Sequence, residues 1–289
     1  MPTKRRGLPA VAVEREGELL LFDCGEGTQR QMMNSRLGRM QPSKIFVSHA
    51  HGDHVLGLFG LLMTLGMSDR KAPVKVFGPA EVGDMVEDVL GGAGLPFELL
   101  FERVTGGRVV KEKGYIVRAQ RSDHHGESYA YRLDEAKRPG RFNPDRAKEL
   151  GVPEGPLWHR LQEGKAVRFH GREVRPGSVV GPWRMGRSFG YSGDTRPSGR
   201  LQRFFRGVDL LVFESTYTSE YQDEAEEYGH STAAEAGRLA ARAGVGRLVL
   251  THFSPRVPDA GLAVKEASRY HADVSAGNDF ESFDLPLHD

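Results

Sequence analysis

The sequence predicts an α/β fold, and three observations point there. β-rich runs alternate with amphipathic helical patterns along almost all of the 289 residues, turn chemistry separates them, and 38% hydrophobic with 27% charged residues is an ordinary globular composition. β-rich runs fall at residues 10–14, 18–23, 45–48, 74–78, 115–119, 128–133, 188–192, 209–213, 247–251 and 273–276. Helical patterns occupy 26–35, 55–67, 81–90, 233–243 and 260–270, with Ser231 as candidate N-cap of the fourth and Glu235 close enough to support its first turn. Such a chain buries a sizeable core as one large domain or two.

The most informative stretch is His49-Ala50-His51-Gly52-Asp53-His54, directly after the apolar run Ile45-Phe46-Val47-Ser48. A turn leaving a strand can aim several side chains at one point, which a continuous helix or strand cannot. Imidazole suits zinc and similar metals, and a carboxylate binds one ion or bridges two. Two or three ligands do not complete such a site, so others must come from distant sequence. Asp123-His124-His125, Tyr191-Ser192-Gly193-Asp194-Thr195 and Leu250-Thr251-His252-Phe253 each end or adjoin a β-rich run. An Asp in Ser-Gly-Asp-Thr is on its own more often a turn residue. Convergence of four motifs on one centre reverses that reading.

Together these blocks resemble the metallo-β-lactamase superfamily, and several are similar to those of its ribonuclease Z family. The latter are Leu21-Phe22-Asp23-Cys24-Gly25-Glu26-Gly27-Thr28-Gln29-Arg30-Gln31, Glu127 to Arg132, Phe213-Glu214-Ser215-Thr216-Tyr217, Gly229-His230-Ser231-Thr232-Ala233 and Leu250 to Arg256. The resemblance implies an αββα sandwich of two sheets, one domain over residues 1–289, with a protruding basic tRNA-binding arm, an exosite, inserted at 137–175. It implies an endoribonuclease that removes the 3′ trailer of precursor tRNA, using two zinc ions per subunit, with manganese or another divalent metal as substitute. It also implies a homodimer in which one subunit's arm presents tRNA to the other's site. Family members usually open with a strand and a Leu-Gly-Thr turn, whereas this sequence starts Met1-Pro2-Thr3. That leaves a misassigned start, or an absent first strand and an exposed sheet edge. Pro2, Lys4 and Arg6 resemble the family's Pro-x-Lys-x-Arg-Asn loop, linked to rejection of CCA ends, with Gly7 in place of Asn.

Composition excludes other classes. The longest apolar stretch, residues 55–67, is too short to span a bilayer, and no signal peptide follows the basic Lys4-Arg5-Arg6. The one cysteine, Cys24, excludes an intrachain disulfide, fits a reducing cytoplasm and reads as a small buried residue. Net charge is only +1, but residues 137–175 carry ten cations against five carboxylates, a plausible footprint for a phosphate backbone. Taken alone, that segment reads slightly better as a solvated loop that happens to be basic. Its Pro139-Gly140, Asn143-Pro144, Gly151-Val152-Pro153 and Gly155-Pro156 pairs interrupt any long element. Trp158 there is expected to pack within the arm rather than to stack a base, and Arg160, Lys165 and Arg168 are its candidate RNA contacts.

Chemistry then assigns roles. His49, His51 and His124 are expected to hold one ion, Asp53, His54 and His252 the other, with Asp194 bridging. His124 is chosen over His125 because seven residues separate it from Tyr131, as in the family motif. Asp53 could also orient the nucleophile. His230, after the acidic 223–227 stretch and expected to begin a helix, is the best proton donor for a leaving alkoxide, with Glu214 holding its second nitrogen. A small-diester phosphodiesterase of the same fold needs the metal motifs but not the arm. An idle RNA-binding protein needs the arm but not seven ligands.

Overall fold

The computed structural model describes residues 2–3, 6–37 and 41–288; Lys4 of the N-terminal loop pattern lies outside them. In chain order the elements are β1 (Val11–Arg15), β2 (Glu18–Phe22), α1 (Thr28–Asn34), β3 (Lys44–Phe46), α2 (Gly52–Met67), β4 (Val74–Gly78), α3 (Ala80–Leu90), β5 (Leu99–Arg103), β6 (Gly107–Lys111), β7 (Tyr115–Arg121) and β8 (Tyr129–Glu135). There follow α4 (Pro144–Glu149), α5 (Pro156–Gln162), β9 (Val167–Phe169), β10 (Arg172–Val174), β11 (Ser188–Tyr191), α6 (Gly199–Phe204), β12 (Leu210–Glu214), α7 (Gln222–Glu227), α8 (Ala233–Ala243), β13 (Arg247–Thr251), α9 (Ala260–Ala267) and β14 (Val274–Ala276).

Two sheets build the sandwich. One has the order β1-β2-β3-β4-β5, the other β14-β13-β12-β11-β8-β7-β6. In the first, β2 through β5 run parallel and β1 closes antiparallel; in the second, β11 through β14 are parallel. Parallel strands need both faces covered, and the burial of β2 and β12 at nearly every position follows from that. Inner faces meet through aromatic rings: Phe22 lies 5.2 Å from Phe189 and 6.1 Å from Tyr191, and Phe46 lies 5.5 Å from Tyr131. On one outer face Leu21, Ile45 and Val76 pack with Val55, Leu58 and Leu62 of α2 and Val82 of α3. On the other, Leu211, Phe213 and Leu248 pack with Leu201 of α6, Ala236 of α8 and Ala263 of α9. The order of layers is αββα.

Contacts divide the chain into two compact units: residues 1–112, 116–133 and 188–285, and residues 113–115, 134–187 and 286–289. The second unit has its own small core, Ala147, Val152, Leu161, Val167, Val174 and Val179. Its elements are short because prolines and glycines punctuate them. Asn143 caps α4 by accepting from the Arg146 N–H at 2.9 Å, with Pro144 next to it. The β9–β10 hairpin turns through His170 and Gly171, whose φ values of +46° and +75° suit a tight primed turn. Trp158 faces inward, its Nε1–H donating to the Val152 carbonyl at 2.9 Å beside Phe142, so its ring packs within the unit.

Two expectations need correction. Ser231 does not cap α8; Thr232 does, in a reciprocal capping box with Glu235, while the Ser231 hydroxyl donates to the Thr195 carbonyl. His230 therefore lies in the loop between α7 and α8 rather than beginning a helix. Cys24 is fully buried, and burial pushes its thiol up to about 12. At pH 8 the folded protein then presents no thiolate, so iodoacetamide should leave Cys24 unmodified until guanidinium unfolds the chain. Mass spectrometry would contradict this by finding native protein labelled as fast as a free thiol.

Candidate metal centre

Every sequence-predicted ligand lies on a segment leaving the C-terminal end of a strand, and those segments converge. The motif at 49–54 leaves β3 and runs directly into α2, whose first turn contains Asp53 and His54; His124 follows β7, Asp194 follows β11 and His252 follows β13. The structure brings together His49, His51, His124 and Asp194 as one group of ligand atoms, and Asp53, His54 and His252 as another, each within 4.8 Å. Asp194 Oδ2 lies 3.7 Å from His49 Nε2, 3.3 Å from His54 Nε2 and 3.4 Å from His252 Nε2, between the two groups. Asp53 Oδ2 is 3.4 Å from His252 Nε2. His125 is exposed, with its ring against that of His124.

Hydrogen bonding around the cluster fixes which nitrogen faces inward. The Ser48 hydroxyl donates to Asp23 Oδ2 at 2.8 Å, so it accepts from His49 Nδ1–H at 2.9 Å. Thr216 donates to Glu214 Oε2 at 2.7 Å and accepts from His252 Nδ1–H at 2.8 Å. His124 Nδ1–H donates to the Gly229 carbonyl at 2.8 Å, and His54 Nδ1–H to Asp23 Oδ2 at 2.6 Å. Four imidazoles thereby turn Nε2 toward the centre. His49 Nε2 lies 3.0 Å from His51 Nδ1, which is 3.3 Å from His124 Nε2. Buried His54 Nε2 and Asp194 Oδ1 have no hydrogen-bond partner. Ring nitrogens and carboxylates converging beside orphaned buried polar atoms fit a divalent cation.

Protonation points the same way. Burial holds His49 well below the ordinary imidazole value, and His51 and His124 below it, as neutral ligands must be. Burial also disfavours charge on His54, but the Asp194 and Asp23 carboxylates outweigh it and hold that ring well above. Burial raises Asp53 and Asp194, yet the imidazoles around them keep both below the usual carboxylate range. A metal entering the centre must displace the His54 proton, so its hold weakens as pH falls.

His230 stands in a different setting. Its Nδ1 lies 2.9 Å from Glu214 Oε1, and its ring is 5.3 Å from that of His252 and 5.0 Å from that of His124. Burial lowers its proton affinity, but the Glu214 hydrogen bond and charge raise it above the ordinary value. Arg160, Lys165 and Arg168 lie in the second compact unit and are exposed, with Lys165 paired to Glu163 at 2.7 Å.

Sequence reasoning assigned no role to Asp23, which the structure places beneath the centre. Its carboxylate accepts from the Ser48 N–H and hydroxyl, His54 and the Tyr191 hydroxyl, the last at 2.6 Å. An acidic residue ending the apolar β2 run was the available signal.

The metallo-beta-lactamase superfamily model matches residues 6–252. A ribonuclease Z of Methanosarcina acetivorans is 44% identical over 99% of this chain and 95% of its own length. One of Myxococcus xanthus is 42% identical over 100% and 95%. The crystal structure of human tRNase Z, short form, superposes with a TM-score of 0.71 at 25% identity, covering 99% of this chain and 95% of that one.

Removing a ligand should empty the centre without unfolding the sandwich. His51→Ala and Asp194→Ala are expected to lose bound metal and hydrolysis after chelation and zinc readdition, whereas His125→Ala keeps both. Asp23→Asn should weaken metal binding by roughly 10–100-fold. Metal content measured by mass spectrometry decides; a full complement in Asp194→Ala would remove that residue from the ligand set.

Proposed function

The chain belongs to the ribonuclease Z family of the metallo-beta-lactamase superfamily, and we propose on that premise that it is a metal-dependent endoribonuclease removing the 3′ trailer from precursor tRNA. Cleavage leaves a 3′-hydroxyl on the tRNA and a 5′-phosphate on the trailer. The observation that carries this reading is the meeting, at one set of strand ends, of seven ligand-type side chains with the His230–Glu214 pair. An idle RNA-binding protein has no use for such a set.

His49, His51 and His124 would hold one zinc ion, and Asp53, His54 and His252 a second, with Asp194 between them; manganese suits the same donors. When bound, such a pair lowers the pKa of water and stabilises charge on phosphoryl oxygens. The chain's own residues do the rest. Asp53, half-buried with its Oδ2 toward His252, accepts a hydrogen bond from the attacking water and orients it. His230 Nδ1–H is committed to Glu214 Oε1, so Nε2–H is the proton that reaches the departing 3′-oxygen. Glu214 keeps its geometry because it also accepts from the backbone N–H of Thr195, Thr216 and Ser231 at 2.9–3.1 Å. The same commitment argues against His230 as a ligand, although its ring nitrogen falls in a third group with Asp194 and His252.

The basic second unit is the arm that grips the tRNA body. Arg160 and Arg168 are exposed, with no ion pair among the described residues, and a core of its own lets the unit present them as a folded surface. A homodimer is supported by α2, where Leu56, Met63 and Met67 expose 51%, 41% and 83% of their surface on one stripe. A cytoplasmic location is supported by the free thiol of Cys24, which suits a reducing compartment.

His230→Ala should retain its metal and lose roughly 10²–10⁴-fold in single-turnover cleavage of pre-tRNA. An unchanged rate would remove it from catalysis, and loss of metal would make it a ligand.

The arm separates tRNA processing from small-diester hydrolysis. Replacing Arg160, Lys165 and Arg168 by Gln should weaken pre-tRNA binding and reduce its salt slope by up to about three. The Glu163 pairing of Lys165 makes that residue the weakest contributor. Hydrolysis of bis(p-nitrophenyl) phosphate should be unaffected. Pre-tRNA cleavage as efficient and as salt-dependent as wild type would favour the small-diester enzyme.

A further inference from the structure

Two residues after Asp194, Arg196 connects three parts of the centre without belonging to either ligand group. Its backbone N–H donates to the Asp123 carbonyl at 2.7 Å, next to His124. Its guanidinium makes a two-pronged contact with Glu235, NH1 to Oε2 at 2.8 Å and NH2 to Oε1 at 2.6 Å, and NH1 also donates to the His230 carbonyl at 2.6 Å. Both partners are largely shielded, with 18% and 12% of their side-chain surface exposed. A second carboxylate, Glu226, stands 3.8 Å away.

Glu235 is equally committed. Oε2 accepts from the Thr232 N–H at 2.9 Å and the Thr232 hydroxyl at 3.1 Å, and Oε1 from the Gln222 amide at 3.1 Å. One carboxylate therefore closes the capping box of α8 and anchors the guanidinium on the loop that carries His230. That loop starts at Gly229, whose φ of +69° admits few other residues and whose carbonyl orients His124. Asp194's neighbour Thr195 fastens the other side: its hydroxyl accepts from the Asp123 N–H at 3.0 Å and its carbonyl from the Ser231 hydroxyl at 2.6 Å.

We propose that Arg196 and Glu235 are a positioning pair for proton donation, in which the ionic fork fixes the 229–232 loop so that the His230 ring keeps its place against Glu214. The inference rests on the reading of His230 as proton donor. A planar fork gripping both a carboxylate and a carbonyl is work that Lys cannot reproduce. Small displacements of a donor cost rate steeply, because proton transfer needs hydrogen-bond reach to the departing oxygen.

A leaving group that needs no proton separates this role from a merely structural one. Arg196→Lys, Glu235→Gln and His230→Ala are compared with wild type by metal analysis, single-turnover cleavage of pre-tRNA and hydrolysis of bis(p-nitrophenyl) phosphate, whose nitrophenolate departs unaided. Metal should be retained in all three. In Arg196→Lys and Glu235→Gln, pre-tRNA cleavage should fall by roughly tenfold or more beyond any fall on the diester, the same direction as His230→Ala. Equal losses on both substrates, loss of metal, or no loss overturns the positioning role. Should one variant fail to fold, the other carries the same comparison. A His230→Ala protein equally impaired on both substrates would overturn the donor assignment beneath it. A selective loss there with none in Glu235→Gln overturns the pair alone.

Discussion

The centre depends first on the burial of one carboxylate. Asp23 is fully buried, and an unpaired charge in such a place would cost several kcal/mol. It is tolerated because four donors surround it, the Ser48 N–H and hydroxyl, His54 Nδ1–H and the Tyr191 hydroxyl, all at 2.6–2.8 Å. Those donors come from both sheets: Ser48 follows β3, while Tyr191 ends β11. The same interaction that neutralises the charge therefore joins the two halves of the sandwich at their carboxyl ends. It also sets two ligand rings, His54 directly and His49 through Ser48. Burial and the neighbouring carboxylate push the Tyr191 hydroxyl well above its ordinary value, so it stays a donor across any working pH.

Glu214 repeats the device on the other side. It is buried at the end of β12 and accepts from three backbone N–H groups, the Thr216 hydroxyl and His230. Through Thr216 it orients His252, and directly it orients His230. Two buried carboxylates, one under each sheet's strand ends, thus control the tautomers of the surrounding rings. What sets His230 apart from His54 is which nitrogen lies nearest Asp194: in His54 it is Nε2 at 3.3 Å, opposite the nitrogen held by Asp23, whereas in His230 it is Nδ1 at 3.9 Å, already committed to Glu214. Chemical role follows from hydrogen-bond direction rather than from residue type.

Much of this was legible in the sequence, for a physical reason. Ligands sit where strands end, and strand ends are marked by β-rich runs giving way to polar turn residues, so 49–54, Asp194 and His252 announce themselves. The choice of His124 over His125 needed a register to Tyr131, and Tyr131 is fixed by its hydroxyl donating to the Val47 carbonyl at 2.8 Å. Asp23 stayed hidden because an Asp closing a strand looks like any turn residue; its partners are 25 to 168 positions away. Strands β5 and β6 went unread because charged residues interrupt their patterns. The six- and seven-residue helices α4 to α7 are too short for periodicity to register; Asn143 and Ser198 cap α4 and α6, while α5 and α7 have no side-chain cap. The site for α8's cap was misjudged by one residue, since Ser231 and Thr232 are both good caps and only Thr232 stands three residues before Glu235.

Two of the six left-handed non-glycine residues among the described residues lie at the centre. Asp23 and His252 both adopt φ of +58°, a left-handed conformation costing a non-glycine residue about 1–2 kcal/mol. Gly193 adopts +56°, and a Cβ there would come within 2.6 Å of the Ser48 Cβ, so no larger residue fits beside Asp194. On the first sheet the buried rings pack the strands closely: Phe22 stacks on Phe46 at 4.9 Å, and Phe46 on Phe77 at 4.9 Å. The left-handed turns at Asp23, Gly193 and His252 lie at or beside side chains that face the centre. Converging lone pairs are unfavourable by themselves, since they repel one another and forgo hydrogen bonds to water. A sandwich whose packing already determines the strand exits can hold them together, and a cation is what turns that repulsion into binding.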